Sequence, residues 1–466
     1  MGLGIYLVYY TMFFRLKQLI LLAGDLCALY AGLYLGVTVR YLHWPDATII
    51  NLIGPLTLLF ALAVIILFII GFYDIGKARN TSAFFQKIIL TAGIWLIISI
   101  LFFYTNPNAT VSPKTTLLLI AICGFGSLAT WRALYNHFLS ANLLRTPVIF
   151  VGFNHEIEEL ADVMMKVPER GYMVSGLVTD VDTGLNLPTA ETLDDLIKKN
   201  NDAYPNLIVI SEQASNNATL LNSLYRALNQ QVGIIPLAEF YENFFKRIPP
   251  YTFSEYWFVT HLNEQTKKIY DRFRILFDIS ITLIMGAVFV VVFPFIALIT
   301  KITSPGPIFF TQMRVGRMGK SFRIYKFRTM RALTAGGSAE LQGPQYAAFN
   351  DTRITLFGNF LRKSRLDELP QFINILKGEM AVIGPRPERP EFVEKLTVAM
   401  PFYPLRHLVK PGITGWAQLQ KSYYGTIEEN LVKLEYDLYY IKNRSLILDV
   451  VIILRTFEVL LRMMGR

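Results

Sequence analysis

Four apolar stretches fill the first third of the chain, at about 18–39, 50–72, 84–104 and 115–135. Each is close to the ~20 residues a helix needs to cross the hydrocarbon core of a bilayer. The pattern changes between 146 and 250. There Thr146–Gly152, Tyr172–Val178, Leu207–Ser211 and Val232–Pro236 read as buried strands, and Glu156–Met165, 190–200 and 216–229 carry a helical period. Strands alternating with helices predict a small parallel sheet, Rossmann-like in outline. A fifth apolar run, 275–300, is again long enough to span. Beyond it, alternation through Ile324–Met330 predicts a strand with Lys326 and Arg328 on one face. Leu446–Met464 is apolar with Arg455 and Arg462 spaced along it, which predicts an interfacial amphipathic helix.

Flanking charge orients the helices. Arg15 and Lys17, then Lys77, Arg79 and Lys87, then Arg132 and Arg145 lie on one side; the alternate connections hold Arg40 and Lys114. By the positive-inside rule the N-terminus and everything after 145 face the cytoplasm. Lys267, Lys268, Arg272 and Arg274 precede the fifth run, and Lys301, Arg314 and Arg317 follow it, so both ends read as cytoplasmic. Pro294 interrupts that run, and the prediction is a re-entrant helix–break–helix over 275–300. No basic segment precedes the first run and no small-residue cleavage site follows it, so a removable signal peptide is not expected. Asp25, inside the first run, reads as a snorkelling or helix-contact residue rather than a functional intramembrane charge.

Composition agrees. Of 466 residues, 53% are hydrophobic and 17% charged, against about 25% charged in soluble domains. That excludes disorder, collagen and a disulfide scaffold. The net charge of +10 suits a membrane surface or phosphate-rich substrates. Cys27 and Cys123 both lie in apolar runs and read as packing residues.

Candidate chemistry concentrates after residue 300. Residues 301–331 hold eight basic side chains and no acid, interleaved with Phe309, Phe310, Phe322, Tyr325 and Phe327. Such a strip is able to bind nucleic acid, but directly after a membrane-dipping run a lipid phosphate or head group is the more natural partner, and no nucleic acid is expected. The Gly- and Ala-rich stretch 332–349 predicts a mobile loop. In LRKSRLDELPQ (361–371) the adjacent Asp367 and Glu368 sit among Arg362, Lys363 and Arg365. One carboxylate of such a pair is able to attack while the other holds a metal, and neighbouring cations and a helix start would keep the nucleophile ionised. IGPRP (383–387) mounts Arg386 rigidly, with Pro387 behind it, for a phosphate or a base edge. KPGITGWAQ (410–418) suits nucleotide contact. The first strand of the middle segment ends in Gly152–Phe153–Asn154 without a G-x-G-x-x-G, so dinucleotide binding is poorly supported, and scaffolding or oligomerisation is the expected role there.

SPGPIFFTQMRVGRMGKSFRIYKFRTM (304–330), LDELPQFINILKGEMAVIGPRPERPEF (366–392) and KPGITGWAQ (410–418) resemble the bacterial sugar transferase family, the monotopic phosphoglycosyl transferases. The resemblance covers about 265–466. The layout of the first half resembles the family's large form, which includes undecaprenyl-phosphate glucose and galactose phosphotransferases. It implies three parts: a four-helix membrane bundle at 1–140, a Rossmann-like cytoplasmic α/β domain at 146–250, and a C-terminal α/β catalytic domain at 265–466 with the re-entrant helix.

The resemblance further implies transfer of a hexose 1-phosphate from a UDP-sugar to undecaprenyl phosphate with release of UMP, initiating exopolysaccharide, capsule or O-antigen synthesis at the bacterial inner membrane. It makes Asp367 the nucleophile and Glu368 the holder of Mg²⁺. Lys326, Arg362 and Arg386 fall at family positions implicated in binding phosphates or uridine, and Arg328 and Pro387 are counted with them. Membrane lipid is an implied partner, and a homodimer through the membrane or middle domains is expected. The competing readings are a nucleotide-sugar-modifying oxidoreductase and a non-catalytic assembly factor. Because every motif lies after 265, residues 1–250 are expected to be dispensable for chemistry.

Overall fold

A computed structural model describes residues 2–42, 47–73, 80–105, 114–139, 145–181, 183–200, 205–212, 214, 218–228, 230, 232–251, 255–262, 267–331, 351, 353–421 and 425–461. The chain divides into two compact units, Met1–Phe240 and Tyr241–Arg466. The loop expected at 332–349 lies outside the described residues.

In the first unit each apolar run forms one helix: α1 (Gly2–Tyr41), α2 (Ala47–Ile69), α3 (Ser82–Thr105) and α4 (Lys114–Leu139). They bury a shared core that includes Leu29, Leu33, Phe60, Trp95 and Leu128. The α1–α4 seam depends on small residues. A Cβ on Gly32 would stand 2.1 Å from Gly124 Cα, and one on Gly36 2.8 Å from Ile120 N, so glycines four apart let the two backbones meet. Asp25 lies in this seam with no exposed surface. Arg132 donates from Nε to Asp25 Oδ1 at 2.8 Å and from Nη2 to Oδ2, and the Tyr73 hydroxyl donates to Oδ2 at 2.7 Å. Asp25 is therefore a helix contact. Arg132, which the charge pattern reads as a flanking cation, is instead buried in that ion pair.

The middle segment carries β1 (Thr146–Val151), α5 (His155–Lys166), β2 (Tyr172–Val178), β3 (Thr189–Ala190), α6 (Leu193–Lys199), β4 (Leu207–Ile210), α7 (Ala218–Leu228) and β5 (Gly233–Pro236). The strands form a parallel sheet of order β3-β2-β1-β4-β5. Its buried positions, among them Ile149, Val151 and Ile208, are the apolar ones of the pattern, and Leu224 of α7 packs with them. After β1 the chain turns at Gly152, with φ +88°. A Cβ there would stand 2.1 Å from Ser211 Oγ, so the glycine serves a closed packing contact.

The helix α8 (Leu237–Phe245) straddles the division between the units. Residues 241–250, which the sequence pattern groups with the middle segment, belong to the second unit. There Ile248 N donates to Glu435 O at 3.0 Å, Trp416 Nε1 to Lys246 O at 3.0 Å, and Lys442 Nζ to Glu242 at 2.6 Å. After α9 (Glu255–His261) comes α10 (Lys268–Thr303), a single 36-residue helix with Pro294 inside it. The expected break at Pro294 is absent: the helix continues through it, with Phe289, Phe293 and Ile296 packed on either side. Near its start Arg274 donates to Ile383 O and Asp278 accepts from Val382 N at 3.1 Å. Further along, Phe289 and Phe293 stack with Phe309 and Phe327.

The hairpin β6 (Phe309–Val315) and β7 (Ser321–Phe327) pairs antiparallel, with Phe310 opposite Lys326. Next come α11 (Leu356–Lys363), a 3₁₀ turn Leu366–Gln371, α12 (Phe372–Leu376), β8 (Ala381–Ile383), α13 (Pro390–Ala399), β9 (Gly412–Thr414), α14 (Trp416–Gln420), α15 (Ile427–Asn443) and α16 (Leu446–Leu461). β8 and β9 pair in parallel. Among the described residues five helices are long and apolar enough to cross a membrane, α1–α4 and α10. The protein is membrane-associated on that ground.

Candidate active site

Asp367 and Glu368 occupy the 3₁₀ turn between α11 and α12, and both are buried. Arg365 enters the turn with φ +54°, a left-handed conformation that a β-carbon disfavours. Glu368 N closes back onto Arg365 O at 3.2 Å. A strained non-glycine residue two positions before a pair of buried acids marks a site where surrounding contacts over-determine the backbone.

Three cations converge on Glu368. Lys326 Nζ, from β7, donates to Oε1 at 2.8 Å; Arg386 Nη2 donates to the same oxygen at 2.8 Å; Arg365 Nη1 stands 3.7 Å from Oε2. The hairpin explains the placing of Lys326. Phe327 turns into the aromatic stack of α10, so the preceding side chain points the opposite way, to the carboxylates. Arg386 stands between Pro385 and Pro387, whose rings limit the freedom of its backbone. Gln418 joins the cluster: its Oε1 accepts from Arg365 and from Arg386, each at 3.3 Å. Arg362 donates from Nε to Thr329 Oγ1 at 2.9 Å and is close enough to act on the charge of Asp367.

The two carboxylates differ electrostatically. Burial, then the charge of Glu368, pushes the Asp367 carboxyl up to about 6, against the pull of Lys326, Arg362 and Arg386. Burial acts on Glu368 in the same direction, but Arg386, Lys326 and Arg365 outweigh it and hold that carboxyl well below its usual range. The sequence reading expects the cations to keep the nucleophile ionised. They act first on Glu368, whose oxygens they touch, while dehydration dominates at Asp367. Burial likewise lowers the Lys326 ammonium, with Glu368 opposing it.

Four cations (Lys326, Arg362, Arg365, Arg386) thus surround two acids, and the surplus positive charge fits an anionic ligand. Glu368 Oε2 is buried and accepts no hydrogen bond among the described residues. An oxygen so oriented, beside a second carboxylate, suits a hard divalent cation that completes its shell with phosphate oxygens and water.

Other sequence-predicted residues lie elsewhere. The strand expected through Met330 stops at Phe327, and Arg328 is buried away from the carboxylates. Its Nη1 donates to Pro305 O at 2.5 Å and its Nη2 to Ser304 O at 2.6 Å, tying the end of α10 to the hairpin. The Pro387 carbonyl accepts from Arg314 Nη1 at 3.2 Å, outside the carboxylate cluster. In KPGITGWAQ the glycines serve packing: a Cβ on Gly412 would stand 2.1 Å from Gly384 N and one on Gly415 2.2 Å from Gly384 O. Trp416 is buried in the core, so of that motif Gln418 is what reaches the cluster. Arg365 and Gln418 were not singled out from sequence. Arg365 looked like one more cation of a basic run, and a glutamine at the end of a glycine motif carries no signal of what lies across from it.

The family model described as bacterial sugar transferase matches residues 269–463. The chain is 47% identical over 169 residues to a UDP-N-acetylgalactosamine-undecaprenyl-phosphate N-acetylgalactosaminephosphotransferase of Aeromonas hydrophila, covering 36% of this chain and 39% of that one. It is 47% identical over 163 residues to a UDP-glucose:undecaprenyl-phosphate glucose-1-phosphate transferase of Xanthomonas campestris pv. campestris, covering 34% and 33%. A putative undecaprenyl-phosphate N-acetylgalactosaminyl 1-phosphate transferase of Bacillus subtilis (strain 168) is 41% identical over 140 residues, 30% of this chain and 72% of that relative. The similarity thus spans a third to two-fifths of the first two relatives and most of the third.

Proposed function

This chain belongs to the bacterial sugar transferase family, and we propose that it transfers a sugar 1-phosphate from a UDP-sugar to undecaprenyl phosphate, releasing UMP. The observation that carries the reading is the unequal pair: Asp367 poised near neutrality beside Glu368, which three cations keep ionised.

In this mechanism an Asp367 oxygen attacks the β-phosphorus of the donor. The bond from that phosphorus to the bridging oxygen breaks, UMP leaves with the electron pair, and a sugar-phosphoryl-aspartate remains. An oxygen of the lipid phosphate then attacks the same phosphorus and expels the carboxylate, giving the lipid-linked diphosphate sugar. Lys326, Arg362 and Arg386 hold the diphosphate and its developing charge. The burial that lifts the Asp367 carboxyl also makes its anion more basic and less solvated, hence a stronger nucleophile. Glu368, through Oε2, is the residue that would hold Mg²⁺, which when bound would supply charge neutralisation at the diphosphate.

We read α10 as an unbroken helix embedded in the cytoplasmic leaflet. Both of its ends are tied to the same unit, by Arg274 and Asp278 at the start and by Arg328 at Ser304–Pro305 at the end. Meanwhile Leu283, Ile284, Val290, Val291, Phe295 and Leu298 stay exposed on the protein. An apolar face of that extent fits lipid. α1–α4 then form the four-helix membrane bundle of a multi-pass inner-membrane protein, and the parallel sheet a Rossmann-like cytoplasmic domain. We assign the reaction to the start of surface-polysaccharide synthesis, as the family resemblance implies.

The test is UMP release from a panel of UDP-sugars by the purified protein with Mg²⁺ and undecaprenyl phosphate. Lipid-dependent UMP from one donor, lost on chelation, supports the reading. No UMP from any donor overturns it.

A further inference from the structure

Four consecutive backbone carbonyls around Arg386 are each captured from a different direction. Pro385 O accepts from Gly412 N at 3.0 Å, Arg386 O from Arg406 Nη2 at 2.9 Å, Pro387 O from Arg314 Nη1 at 3.2 Å, and Glu388 O from Val315 N at 2.9 Å. Two of the four donors are backbone amides of β9 and β6, which the sheets would position in any case. The other two are arginine side chains paired with carboxylates, Arg314 half-buried with Glu388 and Arg406 buried with Asp437.

Arg406 is the more informative of these. It is 2% exposed, and its guanidinium is divided among three acceptors, Arg386 O, the equally buried Asp437 on α15 and the Tyr403 hydroxyl. Arg406 reaches Asp437 Oδ2 from Nη2 at 2.8 Å and from Nε at 3.1 Å, and its Nη1 donates to the Tyr403 hydroxyl at 2.7 Å. Next to it Lys433, also on α15, pairs with Glu388. α15 is thus linked to both ends of the segment Arg386–Glu388, to Glu388 by the Lys433 ion pair and to the Arg386 carbonyl through Asp437 and Arg406. A buried ion pair is a poor way to gain stability, since the desolvation penalty offsets most of the attraction. A forked donor that fixes one carbonyl while held by a carboxylate is a good way to fix a geometry.

We propose that Arg406, oriented by Asp437, is a positioning residue for Arg386: it fixes the backbone from which the Arg386 guanidinium reaches Glu368 and the donor diphosphate. This rests on the proposed transferase reading. Neither Arg406 nor Asp437 touches the carboxylate pair in the hydrogen bonds of the site, so any effect on the reaction passes through the Arg386–Glu388 segment.

The experiment is a double-mutant cycle on full-length protein, with UMP release giving kcat and KM for the donor. Arg406→Lys keeps the charge facing Asp437 but loses the fork. It is expected to lower kcat/KM about tenfold, as a misplaced binding group does, with most of the change in KM. In an Arg386→Ala background the same substitution is expected to change kcat/KM less than about twofold, because its target is already gone. Equal factors in the two backgrounds would mean that Arg406 only supports the fold, and would overturn the inference. If Arg406→Lys shows no cooperative thermal transition, Asp437→Asn takes its place in the same cycle with the same expectation. A wild-type protein that releases no UMP sinks the functional reading and this inference with it. An active wild type with an additive cycle sinks this inference alone.

Discussion

Lys326 Nζ and Arg386 Nη2 meet at one atom: each stands 2.8 Å from Glu368 Oε1, although 60 positions of sequence separate them. A single carboxylate oxygen thereby organises the two cations best placed for a diphosphate, and leaves its partner oxygen open. Removing that charge should do more than remove a ligand. Glu368→Gln is expected to reduce UMP release by at least about 10²-fold and to cost about 1–3 kcal/mol of stability, because it leaves half-buried cations uncompensated. Thermal denaturation alongside the activity assay checks both. Unchanged stability would mean that the ion cluster is well solvated.

The raised carboxyl of Asp367 gives the reaction a pH limit. Attack needs the ionised form, which exists above the folded-state value of about 6 and is lost as pH falls through it. Glu368 stays ionised over that window because its own carboxyl is held well below the usual range. The donor kcat/KM should therefore be flat above about pH 7 and fall about tenfold per unit below pH 6, as for one titrating group. A profile flat down to pH 5 would show that Asp367 is not the titrating nucleophile.

Arg328 separates the two readings of the basic strip. Its guanidinium engages the carbonyls of Ser304 and Pro305, so Arg328→Ala is expected to destabilise by about 1–3 kcal/mol, the cost of unpaired buried acceptors. The donor KM of the folded protein should not move. A KM raised several-fold at unchanged thermal midpoint would restore Arg328 to the binding surface, as alternation along the strand suggests.

Truncation tests where the catalytic unit begins. A piece starting at Tyr241 keeps Glu242, Arg247 and Ile248, whose contacts run to Lys442, Glu435 and the Glu435 backbone. It is expected to fold in detergent and release UMP. One starting at 251 loses those contacts and should be markedly less stable. Equal stability of the two would place residues 241–250 outside the unit.

The apolar helices and the alternating α/β segment were legible because lipid and a buried parallel sheet impose long, uniform patterns. The acids were legible because Asp367 and Glu368 are adjacent in a motif. What escaped depends on contacts between distant positions. Asp25 and Arg132 meet across the bundle, Gly384 and Gly412 pack backbone to backbone, and Arg406 reaches Arg386 through a carbonyl. Such pairs leave no local period. Continuity of α10 through Pro294 escaped for another reason: proline weakens a helix locally, and the packing of Phe289, Phe293 and Ile296 on either side decides whether it breaks.

The most direct measurement is a single-turnover test without the lipid acceptor. Purified protein, Mg²⁺ and its UDP-sugar should release a burst of UMP equivalent to the enzyme present. Intact-mass analysis should show the protein heavier by one sugar phosphate, discharged on adding undecaprenyl phosphate. Asp367→Asn should give neither burst nor mass increase. Turnover of wild-type protein with no burst and no covalent adduct, or an adduct that survives Asp367→Asn, would contradict attack by Asp367.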